Sequence, residues 1–224
     1  MIGTGWAIST GSQREDITDV ASLENSNCGV SRIGSGSYVM SFVLADQNRW
    51  LSDSADMKAP FTFTPLQTFA SLREGVKDGK IDFFMWEHFT TKKYYDNGEL
   101  KRLGEIYTPW SSWKIVATTS QERFSSEELT TELDKLFVAL DKGVEYFGTH
   151  KEENVEYIST NLDYSEEDAR EWLKKVRFTQ GTKGVNPEVI DKVVFVLQNA
   201  GVLTGKGLQP SEMITNQRLY LHVQ

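Results

Sequence analysis

Residues 29–37, Gly-Val-Ser-Arg-Ile-Gly-Ser-Gly-Ser, set two glycines and two serines between a short β-like run and an apolar-periodic stretch. A strand, a small flexible turn and a helix in that order leave several backbone N–H groups unpaired at the helix start. With the partial positive charge of the helix end, such amides suit an anion or a strong acceptor. Gly34 and Gly36 lack the Cβ atoms that would keep a ligand off the backbone, and Ser35 and Ser37 add hydroxyl groups. The segment lacks the Lys-Ser/Thr pair of a phosphate-binding P-loop, and Val39 breaks the spacing of a dinucleotide-binding turn. A plain turn with Ser35 or Ser37 as helix cap would use the same residues.

A second set of groups lies around residues 81–87, Ile-Asp-Phe-Phe-Met-Trp-Glu. Trp86 offers a flat stacking surface, and Glu87 can accept from an amino group or a ring N–H. Trp6, Trp110 and Trp113 fall near the same elements, and an aromatic-lined cleft would use some of the chain's six tryptophans. The competing reading makes each Trp a core residue and Glu87 a helix cap. The three histidines, His88, His150 and His222, have no metal-ligand spacing. Cys28 is the single cysteine, so an intramolecular disulfide is excluded, and it reads as a small buried hydrophobe. No Ser-His-Asp set or catalytic carboxylate pair stands out. The expectation is a protein more binder than enzyme, with no catalytic residue, no metal and no cofactor.

The elements that would carry these groups are legible as periodicities. Residues 5–10, 28–33, 61–64, 81–86, 101–107 and 113–119 read as strands. Val39, Met40, Val43 and Leu44 mark one face of a helix ending near Arg49. Pro65 suits the first position of a helix capped by Thr64, which runs to a stop at Gly79. Beyond Ser120 the character changes. Leu129, Leu133, Leu136, Phe137, Leu140, Val144 and Phe147 recur at helical spacing, Ser165 and Asp168 form a capping pair, and Pro187 opens a helix with its stop at Gly201. Strands alternate with helices first, and helices dominate later, which predicts an α/β fold with parallel strands joined by helical crossovers.

The chain has 224 residues, 39% hydrophobic and 12% aromatic, enough for a substantial core. Its 24 basic and 32 acidic residues give a net charge of −8, which argues against a nucleic-acid partner. No window approaches the ~20 apolar residues of a membrane span, and the start has no secretion-signal pattern. The expectation is a soluble, cytoplasmic protein with a small-molecule partner.

The stretches "SRIGSGSYVMSFVLADQNRW" and "LQTFASLREGVKDGKIDFFMWEHF" resemble the type II periplasmic-binding-protein superfamily, most closely its nitrate/sulfonate/taurine and thiamine-pyrimidine branch. Within that branch the sequence is most similar to a fungal, cytosolic group. The resemblance covers roughly residues 3–205 and implies two lobes: 1–11 with 119–224 as the first, and 12–118 as the second. It implies mixed sheets with flanking helices and a helix-rich C-terminal half. Hinges would lie near 10–12 and 117–119, and Gly34 to Ser37 would hold the ligand's anionic end through backbone amides. Such proteins usually carry a further strand–helix–strand before the "GTGWAIST" strand; this chain starts at Met1, so the first lobe is expected to be incomplete. Three readings stay open. The first is a binder of a thiamine-precursor-like pyrimidine or related anionic metabolite. The second is an enzyme of thiamine-pyrimidine biosynthesis. The third is an interaction module, with a homodimer as its marker.

Overall fold

Five short strands form one mixed sheet, in the order β3-β2-β4-β1-β5. They are β1 (Gly5–Gly11), β2 (Asn27–Val30), β3 (Thr62–Pro65), β4 (Phe83–Glu87) and β5 (Leu100–Tyr107). The structure is a computed structural model, and it describes residues 5–51, 60–110, 114–116, 126–178, 181–182, 184–199, 202–205 and 207–214. Three helices serve the sheet: α1 (Gly36–Gln47), α2 (Phe69–Lys77) and α3 (His88–Asp96). Then follow α4 (Ser126–Thr149), α5 (Lys151–Asn161), α6 (Glu166–Lys175), α7 (Pro187–Asn199) and the short α8 (Pro210–Met213). The mixed α/β class read from the sequence is the observed one.

Strands β2, β3 and β4 run parallel, whereas β1 is antiparallel to both its neighbours, β4 and β5. Gly5–Gly11, which the sequence reading grouped with residues 119–224, thus lies inside the sheet formed by residues 27–107. The two sheet faces carry separate cores. Ile8, Cys28, Val30, Met40, Val43, Leu44, Phe83 and Met85 pack on the α1 side. Leu72, Val76, Ile81, Phe84 and Leu100 pack on the α2 side. Alternation along β4 sends Phe83 and Met85 one way and Phe84 and Trp86 the other. Cys28 is buried in the first core, and burial pushes its thiol pKa up, as an inert core cysteine requires.

Several element boundaries differ from the sequence reading. Strand β2 stops at Val30 because the next amide, Ser31 N–H, donates to the Ser37 hydroxyl (3.2 Å) instead of a ladder partner. Pro65 ends β3 rather than opening a helix; β3 is an edge strand, where a residue without an N–H is tolerated. The helix begins four residues later, capped by Thr68, whose Oγ1 accepts from Ser71 N (3.1 Å). Residues 114–116 are exposed and form no strand, and the rest of the expected strand 113–119 lies outside the described residues, as does Gly201. Elsewhere the caps are as read: Gly79 takes the left-handed conformation after α2, and Ser165 Oγ accepts from Asp168 N (3.1 Å) at the start of α6.

The C-terminal helices meet the sheet unit at two places. Val196 of α7 packs on the α1-side core. The segment leading into α6 packs on α3, where Tyr164 stacks on Phe89. Their own core is small, with Val155, Ile158 and Ala169 at its centre. Helix α4 is amphipathic, yet Leu136 and Leu140 on its apolar stripe stay exposed. Among the described residues, no helix is long and apolar enough to cross a membrane.

Candidate functional site

The strand registers bring Val30, Pro65, Glu87, Trp6 and Tyr107 to one edge of the sheet. For the parallel strands this is the carboxyl edge. The chain leaves β2 through α1 toward β3 on one side, and β4 lies on the other, so the connections diverge between β2 and β4. Helices α1 and α2 pack on opposite faces. Such a switch point opens a crevice at the carboxyl ends of the strands, where ligands of open α/β sheets are held.

The glycine-serine turn follows β2 at that carboxyl edge. Gly34 has φ +78° with open space around it, a conformation that suits glycine. Ser35 caps α1, its Oγ accepting from Tyr38 N (3.4 Å), and Val39 N donates to Ser35 O (2.9 Å). The two hydroxyls bond to one another (3.0 Å), and both serines are buried. They are therefore occupied within the turn itself. The N–H groups of Gly36 and Ser37 make no hydrogen bond among the described residues, and Gly36 is exposed. These are the two amides that the helix start leaves over once its own cap is in place.

Trp6 lies against the same turn. A Cβ added at Gly36 would sit 2.8 Å from Trp6 Cη2 and 3.1 Å from Cζ2. Nε1 is one bond beyond the ring carbon that bears Cζ2. It is buried and has no hydrogen-bond partner among the described residues. A buried donor left unpaired costs about 1–3 kcal/mol, so an acceptor brought by a ligand would recover that amount. Two uncommitted backbone N–H groups thus stand at the turn against which the Trp6 ring lies, and the buried indole N–H of that ring has no partner among the described residues.

Glu87 is paired directly with Trp6 across β4 and β1, so the two side chains start from one face of the sheet. It caps α3: Oε2 accepts from Thr90 N (2.8 Å) and from the Tyr164 hydroxyl (3.4 Å). Among the described residues Oε1 makes no hydrogen bond. Trp110 is partly buried against the core that Trp6 also touches. Trp86 is placed apart: it stacks on Phe69 (5.1 Å, 17°) on the α2 side of the sheet. Trp113 lies outside the described residues. Hence the glycine-serine turn, Trp6 and Glu87 lie at one edge, Trp110 packs on the same core as Trp6, and Trp86 does not join.

One charged cluster at this edge is structural. His88 Nδ1–H donates to Glu105 Oε2 (2.7 Å), and Arg102 pairs with the same oxygen (2.7 Å), which ties α3 to β5. Burial opposes ionisation of Glu105, but hydrogen bonds from His88, Tyr107 and Arg102 outweigh it and hold the pKa at about 2. A carboxyl depressed on folding stabilises fully above its unfolded pKa, about 4.3, and the gain is lost as pH falls toward about 2. Asp16, also held at about 2 by Arg14, titrates in the same window, so the comparison must be with a variant. Glu105→Gln is expected to cost about 1–3 kcal/mol at neutral pH. The gap from wild type should close as pH falls from about 4.3 to about 2, read by thermal denaturation across that range. A gap independent of pH would mean that the carboxylate charge is not what matters.

The sequence reading missed Tyr164 and Glu105. Neither stands in a motif, and both reach the edge only through the chain's return from distant positions.

Residues 6–106 match the family described as Ca3427-like PBP. A structure from Candida albicans, presented as defining a new protein family with the generic periplasmic binding protein fold, is 43% identical with a TM-score of 0.74. The match covers 92% of this chain and 66% of that one, so the chain spans slightly under two thirds of that protein's length. The periplasmic aliphatic sulphonate binding protein of Escherichia coli superposes over 100% of this chain and 70% of its own, at 16% identity and TM-score 0.57. The alkanesulfonate-binding protein of Xanthomonas axonopodis pv. citri does so over 91% and 70%, at 12% identity and TM-score 0.59. No curated protein matches the sequence.

Proposed function

We propose, from the premise that this chain belongs to the Ca3427-like family of periplasmic-binding-protein folds, that it binds a small organic oxyanion on the amides of Gly36 and Ser37. The observation that carries this reading is the pair of N–H groups, uncommitted among the described residues, at the turn against which the Trp6 ring lies. Spare amides at a helix start favour a ligand end that is a full acceptor, such as a sulfonate or phosphate. Glu87 adds the opposite preference. Its Oε1 is available to accept from an amino group or ring N–H at the far end of the ligand. A phosphorylated aminopyrimidine of the thiamine-precursor type has both ends, and so does an aminoalkanesulfonate. The sheet edge would form one wall of the cleft and the helix-rich segment after residue 119 the other, closing around the ligand.

A thermal-shift screen over aminopyrimidine phosphates, pyridoxal phosphate, alkane- and aminoalkanesulfonates and nitrate tests this reading. A ligand at 100 times its Kd adds about 2.7 kcal/mol to stability. For a chain of this size that raises Tm by about 5–11 °C. Organic oxyanions bearing nitrogen should give the largest shifts. A flat response across the panel would overturn the assignment.

A further inference from the structure

Tyr164 comes from the helix-rich half of the chain, yet its hydroxyl reaches Glu87 Oε2 at 3.4 Å. Its ring stacks on Phe89 (6.1 Å between centroids, 23° between planes), inside the first turn of the helix that Glu87 caps. The same junction is fastened by charge. Lys93 pairs with Asp163 at 2.9 Å, and Lys92 pairs with Asp168 at 3.3 Å. The Lys175 ammonium lies 5.3 Å from the centre of the Phe89 ring. Asp168 is itself fixed by the Ser165 hydroxyl (2.8 Å) at the start of α6. Residues 163–175 are thus seated on α3 by several contacts, of which the Tyr164 hydroxyl alone ends on a residue assigned to the ligand.

We infer that Tyr164 is a positioning residue for Glu87, so that the seating of residues 163–175 on α3 sets the preference for nitrogen-bearing ligands. The inference rests on the binding reading above. A glutamate at a strand end has free side-chain rotations, and ordering it on binding reduces affinity. Here Oε2 is held from two directions, by Thr90 N–H and by Tyr164 O–H. Oε1 is then the oxygen that meets the ligand's N–H, in an orientation fixed before the ligand arrives. The donors on Gly36, Ser37 and Trp6 belong to other elements and do not depend on this contact.

Calorimetric titration with 3-aminopropanesulfonate and with propanesulfonate separates the possibilities. Tyr164→Phe keeps the ring on Phe89 and deletes only the hydroxyl. The ratio of the two affinities should fall by about five-fold in the variant, the loss borne by the amino ligand. A merely structural role would weaken both ligands together and leave that ratio unmoved. An unmoved ratio, with wild type binding both probes, overturns the role of Tyr164 and leaves the binding site standing. Wild type binding neither probe rules out aminoalkanesulfonates as ligands of the site, and the positioning role for such ligands falls with them.

Discussion

Gly36→Val is expected to abolish ligand binding at the proposed site and to leave the protein folded. A side chain at this position must displace Trp6, because even a Cβ would approach its ring within 2.8 Å. Valine adds two methyl groups beyond that atom and covers the amides of residues 36 and 37. The backbone is not the obstacle: Gly36 does not take the left-handed conformation, and it occupies the first turn of α1. Helix propensity favours valine over glycine by a few tenths of a kcal/mol, which offsets part of the cost of moving the indole. The apo melting temperature should stay within a few degrees of wild type. The ligand-induced shift should vanish, corresponding to a loss of about 100-fold or more in affinity, or about 2.7 kcal/mol. A variant that keeps its ligand shift would place the ligand elsewhere.

Phe83→Ala acts on the body that holds the turn in place. Phe83 is fully buried at the start of β4, opposite Cys28 of β2. Its ring meets Phe61 edge-on at 5.1 Å. The core around it includes Met40, Val43 and Leu44 of α1, the helix whose first amides form the proposed site. Truncating a buried phenylalanine costs about 3–5 kcal/mol, through lost transfer energy and the cavity left behind. For a chain of this length that is about 6–20 °C in Tm. Cys28 reports the same event: its buried thiol should react with a disulfide reagent far faster in the variant, since exposure requires opening of this core. A change of less than about 1 kcal/mol would mean that the core closes over the gap.

Local patterning carried most of the fold. The run 81–86 reads as a buried strand because apolar side chains face both cores, and β4 (Phe83–Glu87) falls there with its start two residues later. The Ser165–Asp168 pair and Pro187 mark helix starts that the structure places at those residues. What sequence could not give was the direction of β1: an apolar strand reads the same whether its neighbours run with it or against it. The site was legible to a similar depth. A strand, a Gly-Ser turn and a helix predicted spare amides, and those of Gly36 and Ser37 make no hydrogen bond among the described residues. The serines' partners were hidden, since a hydroxyl can face a ligand or close its own turn with the same residue type. For Trp86 and Trp6 the alternation along paired strands decides the matter: they sit on opposite faces, and only Trp6 lies against Gly36. The contact from Tyr164 to Glu87 spans 77 positions and left no trace in local spacing.

Titration of ¹⁵N-labelled protein with the strongest ligand from the screen, followed by NMR, tests the central claim most directly. The amides of Gly36 and Ser37 and the indole Nε1–H of Trp6 should show the largest shifts, each moving as its proton gains an acceptor. If those three resonances stay still while others respond, the donors at the start of α1 do not form the binding site.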